Sequence, residues 1–156
     1  MSDTGLFIGE QLGPDGTRAG DAIRLDPSDL CTHGVIVGMT GSGKTGLAVA
    51  LMEEVLSSGV PILAIDPKGD LTNLLLTFPD LSPSDFAPWV PEGVDPTATA
   101  SDWATGLADW GISPDRIADL RRRVRMGVYT PGSTTATPIN MVGALNAPTG
   151  VDDETL

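Results

Sequence analysis

Residues Gly38-Met39-Thr40-Gly41-Ser42-Gly43-Lys44-Thr45 satisfy the pattern G-x-x-x-x-G-K-[ST], and they stand between two segments of different hydrophobic period. Before them, Val35-Ile36-Val37 is an apolar, β-branched run too short for a helix, the pattern of a strand buried on both faces. After them, Leu47, Leu51 and Val55 recur every four residues with Ala48, Met52 and Leu56 alongside, and Gly59 and Pro61 close the segment as a helix end. Ile62-Leu63-Ala64-Ile65 reads as a second buried strand. Strand, helix and strand in about thirty residues make a βαβ unit with a right-handed crossover, and hence an α/β fold with a parallel sheet.

The chemistry of the loop follows from its residue types. Glycines at 38, 41 and 43 let the backbone take positive φ and approach a ligand closely, so successive N–H groups converge on a concavity that suits a phosphate. The helix N-terminus behind them adds unsatisfied donors and partial positive charge. Lys44 is expected to reach the β- and γ-phosphates of ATP, and the Thr45 hydroxyl to hold the Mg²⁺ that bridges them. Thr40 and Ser42 complete the binding set. The bland alternative, a glycine-rich turn that binds nothing, is disfavoured by the strand before and the amphipathic helix after.

Asp66-Pro67-Lys68-Gly69-Asp70 ends the second apolar run, at the edge where open α/β sheets bind ligands. Three readings stay open for Asp66. It could be a magnesium ligand of the Walker B type, although Pro67 stands where a glutamate would follow; it fits D-x-x-G of GTPases, although no N-K-x-D guanine reader occurs; or it makes a turn and caps a helix. No other strand ends in a carboxylate pair. A positioned general base contributes about 10²–10⁴-fold and an arginine finger about 10³–10⁵-fold, so this chain is expected to bind nucleotide without efficient turnover.

Beyond Asp70, Leu71 to Leu76 suggests a short helix, and Pro79, Pro83, Pro88 and Pro91 punctuate a loop. Asp95-Pro96 and Ser113-Pro114 each place a capping side chain before a proline, announcing two helices. On the first, Ala100, Trp103, Leu107 and Trp110 share a face, which reads as core; the second carries Ile117, Leu120 and Val124 and stops at Gly127. Val128-Tyr129-Thr130 reads as a third strand. Arg121, Arg122, Arg123 and Arg125 fan around their helix, more simply a solvated face near the negative end of the dipole than an arginine finger. Residues 1–30, with Gly13-Pro14-Asp15-Gly16 between short apolar pieces, look like a β-hairpin lead-in to a domain over 31–150, and 151–156 form a tail.

Composition narrows the partners. With 9 basic and 21 acidic residues the net charge is −12, spread evenly, so binding to a polyanionic nucleic acid is not evident in this chain alone. One cysteine, Cys31, and one histidine, His33, make neither a disulfide nor a Cys/His zinc site, and together with a start lacking a secretion signal they point to the cytoplasm. The longest uncharged stretch, 126–151, is broken by Pro131, Pro138 and Pro148 and is no membrane span.

The run Thr32 to Thr45 followed by Ile65-Asp66-Pro67-Lys68-Gly69-Asp70-Leu71 resembles the HerA/FtsK superfamily of hexameric pumping ATPases. Phe78-Pro79-Asp80-Leu81, Asp85-Phe86 with Pro88-Trp89-Val90, and Tyr129-Thr130-Pro131-Gly132-Ser133 resemble more narrowly the HerA-like ATP-binding proteins, and the D-P-K-G segment is similar to that of type IV secretion coupling proteins. The resemblance covers roughly residues 6–150. It implies a P-loop NTPase fold of the RecA-like type, a parallel sheet with flanking helices that is incomplete here, with Mg²⁺-ATP as fuel. It further implies a homo-hexamer, DNA translocation or unwinding by the intact protein, and a partner nuclease. In that family the Walker B glutamate lies on a later strand, which would relieve Asp66 of the main magnesium role, and the chain is expected to be the amino-terminal portion of a longer ATPase. The alternative is a small-molecule phosphotransferase in which Asp66 orients the acceptor hydroxyl and the Arg121–Arg125 cluster covers the phosphates; a non-catalytic nucleotide-binding module is the third.

Overall fold

A computed structural model of the chain describes residues 5–140, so the expected tail at 151–156 lies outside the described residues. The chain divides into two compact units, Met1–Arg125 and Met126–Leu156.

The first unit opens with an antiparallel hairpin, β1 (Leu6–Leu12) and β2 (Arg18–Leu25), in which Leu6 faces Leu25 and Glu10 faces Ala22. Its turn is built locally. The Asp15 carboxylate accepts from the Thr17 amide at 3.1 Å and the Thr17 hydroxyl at 2.6 Å, Gly16 takes φ +80°, and the Gly13 amide closes on the Thr17 carbonyl at 2.7 Å. A 3₁₀ turn, Pro27–Cys31, follows, capped by Asp26.

Helix α1 (Lys44–Ser57) ends where Gly59 turns left-handed. The Gly59 amide bonds the Leu56 carbonyl at 3.0 Å and the Val60 amide the Val55 carbonyl at 3.2 Å, a Schellman closure. A 3₁₀ segment, Asp70–Leu75, takes the place of the short helix expected over 71–76. One turn of helix, α2 (Pro83–Phe86), emerges from the proline-rich loop under a capping box, in which the Ser82 side chain accepts from the Asp85 amide and the Asp85 carboxylate from the Ser82 amide at 3.3 Å; the Ser82 hydroxyl also donates to that carboxylate at 2.9 Å. Helix α3 (Pro96–Asp109) starts at the expected cap, with Asp95 accepting from the Thr97 amide at 2.9 Å. Helix α4 (Pro114–Arg123) also starts as expected but stops short of Gly127, because the β-branched Val124 adopts an extended conformation. The core of this unit is small: Leu6, Leu74, Phe86, Ala100 and Leu120 are buried.

Two expectations fail here. Val35–Val37 and Ile62–Ile65 form no β-ladder among the described residues; the two hydrogen-bonded sheets there are the hairpin and a short pair in the second unit. Their exposure alternates: Val35 is 83 % and Leu63 90 % exposed, with Val37 and Ile65 equally bare, whereas Ile36 and Ile62 are at 38 % and 36 %. Ile36 and Ile62 are less bare than their neighbours, but every residue of both runs is exposed. A parallel strand is stable only when neighbours complete its ladder and both faces are covered, and neither condition is met within these residues. Likewise Trp103 and Trp110 are not core, being 56 % and 43 % exposed. Ala100 and Phe86 occupy the centre instead, and the Arg18 guanidinium lies 4.6 Å over the Trp110 ring.

In the second unit, β3 (Tyr129–Pro131) pairs in parallel with β4 (Thr137–Ile139), placing Thr130 opposite Pro138. Among the described residues no helix is long and apolar enough to cross a membrane.

Candidate functional site

The glycine-rich loop runs exposed into the N-terminus of α1. The Ser42 amide bonds the Met39 carbonyl at 3.2 Å, Gly41 and Gly43 sit at φ +78° and +86°, and the helix opens with the Leu47 amide on the Gly43 carbonyl at 2.9 Å. Gly43 and Gly41 therefore serve the conformational role expected of them. Gly38 serves a different one. Its φ is not positive; a Cβ there would collide with Ser42 Oγ and lie 3.3 Å from Lys44 Cγ. The loop folds over position 38, and a side chain there would have to displace Ser42 Oγ.

Among the described residues no side chain caps the donors at this helix end. Gly43 supplies no side-chain cap, no acidic residue lies in the first turn, and the first amides of α1 have no partner within the helix. Lys44 Nζ donates to the Met39 carbonyl, so the ammonium group is folded back over the loop. Thr40, Ser42 and Thr45 are exposed beside it. Left-handed glycines, uncapped amides at the positive end of a 14-residue helix, and an adjacent ammonium group form a donor set that fits a polyphosphate.

Asp66 has a different surrounding. Its Oδ1 accepts from the amides of Lys68 at 3.2 Å and Gly69 at 2.8 Å, and its Oδ2 from the amide of Leu71 at 2.8 Å. The Leu71 bond above all, with those to Gly69, Lys68 and Asp70, holds the carboxyl below its ordinary range. Both oxygens organise the entry into the 3₁₀ segment, the turn-and-cap arrangement among the three readings. Lys68 pairs with Asp70 at 3.0 Å. No group of three or more His, Cys, Asp or Glu side chains that could hold a metal is found among the described residues.

Three of the four clustered arginines are engaged by the fold. Arg121 donates to the Thr77 carbonyl at 3.0 Å, and Arg122 and Arg123 bind the two oxygens of Asp119 at 2.9 Å and 2.7 Å. Sequence reasoning missed Glu54, which accepts from Arg116 of α4 and, at 2.9 Å, from the Phe7 amide of β1. Its partners lie 47 and 62 residues away, and no local pattern marks them. Cys31 is exposed in its 3₁₀ turn, and His33 is exposed as well.

Residues 7–121 match the family model described as the central domain of helicase HerA. The chain belongs to this family. The match spans most of the chain and contains the loop, Asp66, helices α1, α2 and α3, and α4 except for its last two residues. HerA central domains are P-loop NTPase folds, so the α/β class holds for this chain, although its described residues assemble helices and small sheets rather than the expected parallel sheet. No curated protein and no solved structure matches the chain.

Proposed function

We propose that this HerA-family chain binds Mg²⁺-ATP at the Gly38–Thr45 loop as the nucleotide-binding segment of a DNA-translocating or helicase-type ATPase. The observation that carries the reading is the loop itself: an uncapped helix N-terminus behind two left-handed glycines, closed over Gly38, with the Lys44 ammonium folded onto the Met39 carbonyl of the loop. Amides of Gly41, Gly43, Lys44 and Thr45 would surround the phosphates, the Ser42 amide and the Lys44 ammonium would exchange the Met39 carbonyl for phosphate oxygens, and the Thr45 hydroxyl would take the magnesium ion. Bound Mg²⁺ neutralises the triphosphate and aligns it for transfer.

This scheme gives Asp66 no metal role, because three amides already take most of its acceptor capacity. The same engagement weighs against the phosphotransferase alternative, in which that carboxylate would have to face an acceptor hydroxyl. In this reading DNA contact, hexamer formation and any nuclease partner would belong to the intact ATPase, acting in the cytoplasm; the net charge of −12 does not favour a polyanion contact by this segment alone. Titration calorimetry with Mg²⁺-ATP tests the site: Lys44→Ala should remove measurable binding, because charge-assisted bonds contribute about 1.5–3 kcal/mol each and Lys44 supplies more than one. Unchanged affinity in that variant would refute the assignment.

A further inference from the structure

A second concavity lies in the first unit, enclosed by α1, α2, α3, α4 and the 3₁₀ segment, with a volume of about 410 Å³. Its residues are distinct from the phosphate loop. Interior packing leaves few voids larger than a water molecule, whereas ligand sites occupy about 300–1,000 Å³, so this space has the size of a site rather than of a packing defect.

Four aromatic rings line it. Phe78 and Phe86 meet edge to face with centroids 5.0 Å apart, and Trp103 lies 6.3 Å from Phe86. Trp89 and Trp103 are more than half exposed, which leaves the space open to solvent. Two charged side chains also line it, Glu53 and Arg116. The Arg116 guanidinium is taken by Glu54, which does not line the cavity. Glu53 makes no hydrogen bond or ion pair among the described residues. Burial raises its carboxyl above the ordinary range, with Arg116 partly opposing, as for an acid lacking a full counter-charge. Arg121, which donates to the Thr77 carbonyl, is not among the lining residues. Ring faces carry negative potential, and Glu53, whose neighbouring cation Arg116 is already held by Glu54, adds to it, so both features select positive charge on an apolar body.

We propose that this cavity binds a small hydrophobic organic cation, an alkyl- or arylammonium compound, with the ring faces around its apolar body and Glu53 as counter-charge. The probe is benzyltrimethylammonium, followed by intrinsic tryptophan fluorescence and calorimetry, with neopentylbenzene as the neutral compound of the same shape. Saturable binding of the cation is expected, at least about tenfold tighter than the neutral probe and weakened by about tenfold or more in Glu53→Gln. Circular dichroism of that variant should be unchanged, since Glu53 holds no structural bond that glutamine would lose. Equal affinity for the two probes, an unaffected Glu53→Gln variant, or no saturation by the cation at millimolar concentration would each overturn the proposal.

Discussion

Gly38→Ala separates two ways in which a glycine can be required. At Gly43 the backbone sits at φ +86° with open space around a notional Cβ, so alanine there costs backbone strain, about 1–2 kcal/mol. At Gly38 the backbone is ordinary, and the added methyl instead meets Ser42 Oγ and, at 3.3 Å, Lys44 Cγ. Forcing one methyl into a filled space costs about 1–3 kcal/mol. Because the crowded atoms belong to the loop that would surround the phosphates, the cost should fall on nucleotide binding. It should appear as an affinity loss of about 5-fold to 100-fold at 1.4 kcal/mol per decade. The decisive control is Ser42→Ala, which removes Oγ but keeps the Ser42 amide and leaves a Cβ at 3.4 Å, ordinary contact. Calorimetry with Mg²⁺-ATP should show Ser42→Ala restoring most of the affinity lost in Gly38→Ala and none of that lost in Gly43→Ala. Wild-type affinity in Gly38→Ala, or equal rescue of both, would refute the steric account.

The other expectations are structural. Asp66→Asn should leave ATP affinity intact and lower the melting temperature, since an amide cannot accept three backbone N–H bonds across two oxygens; a sharp loss of Mg²⁺-dependent binding would restore the metal-ligand reading. Because the folded-state pKa of Asp66 is depressed below 3.8, its contribution is present above that value and lost as pH falls through the lower folded value, so the melting difference between wild type and Asp66→Asn should shrink on acidification. Asp95→Ala removes the acceptor for the Thr97 amide and should destabilise α3 by about 1 kcal/mol in thermal or denaturant unfolding.

What could be read from the chain beforehand is what its neighbours in sequence determine. Asp95-Pro96 marks the start of α3 because cap and first helical residue are adjacent, and Gly59 marks the end of α1 because a left-handed residue is a local demand. The phosphate loop is legible for the same reason, although the motif does not distinguish Gly38, needed for space, from Gly41 and Gly43, needed for φ. Failures gather where partners are remote. Val35–Val37 and Ile62–Ile65 carry the composition of strands, but a ladder needs neighbours that composition does not supply. The spacing of Trp103 and Trp110 assigns them to one face without saying whether anything covers it. Glu54 bridges β1 and α4 across separations that no short pattern spans. The capping box at Ser82 and Asp85 was readable in principle, as S-x-x-D, but four prolines around it argue for a loop.

The central claim is that backbone amides at the start of α1 receive the phosphates of ATP. Amide chemical shifts of ¹⁵N-labelled protein titrated with Mg²⁺ and a nonhydrolysable ATP analogue measure it directly. The account predicts saturable perturbations centred on Gly41 to Thr45; saturation at some other part of the chain with these amides unmoved would contradict it.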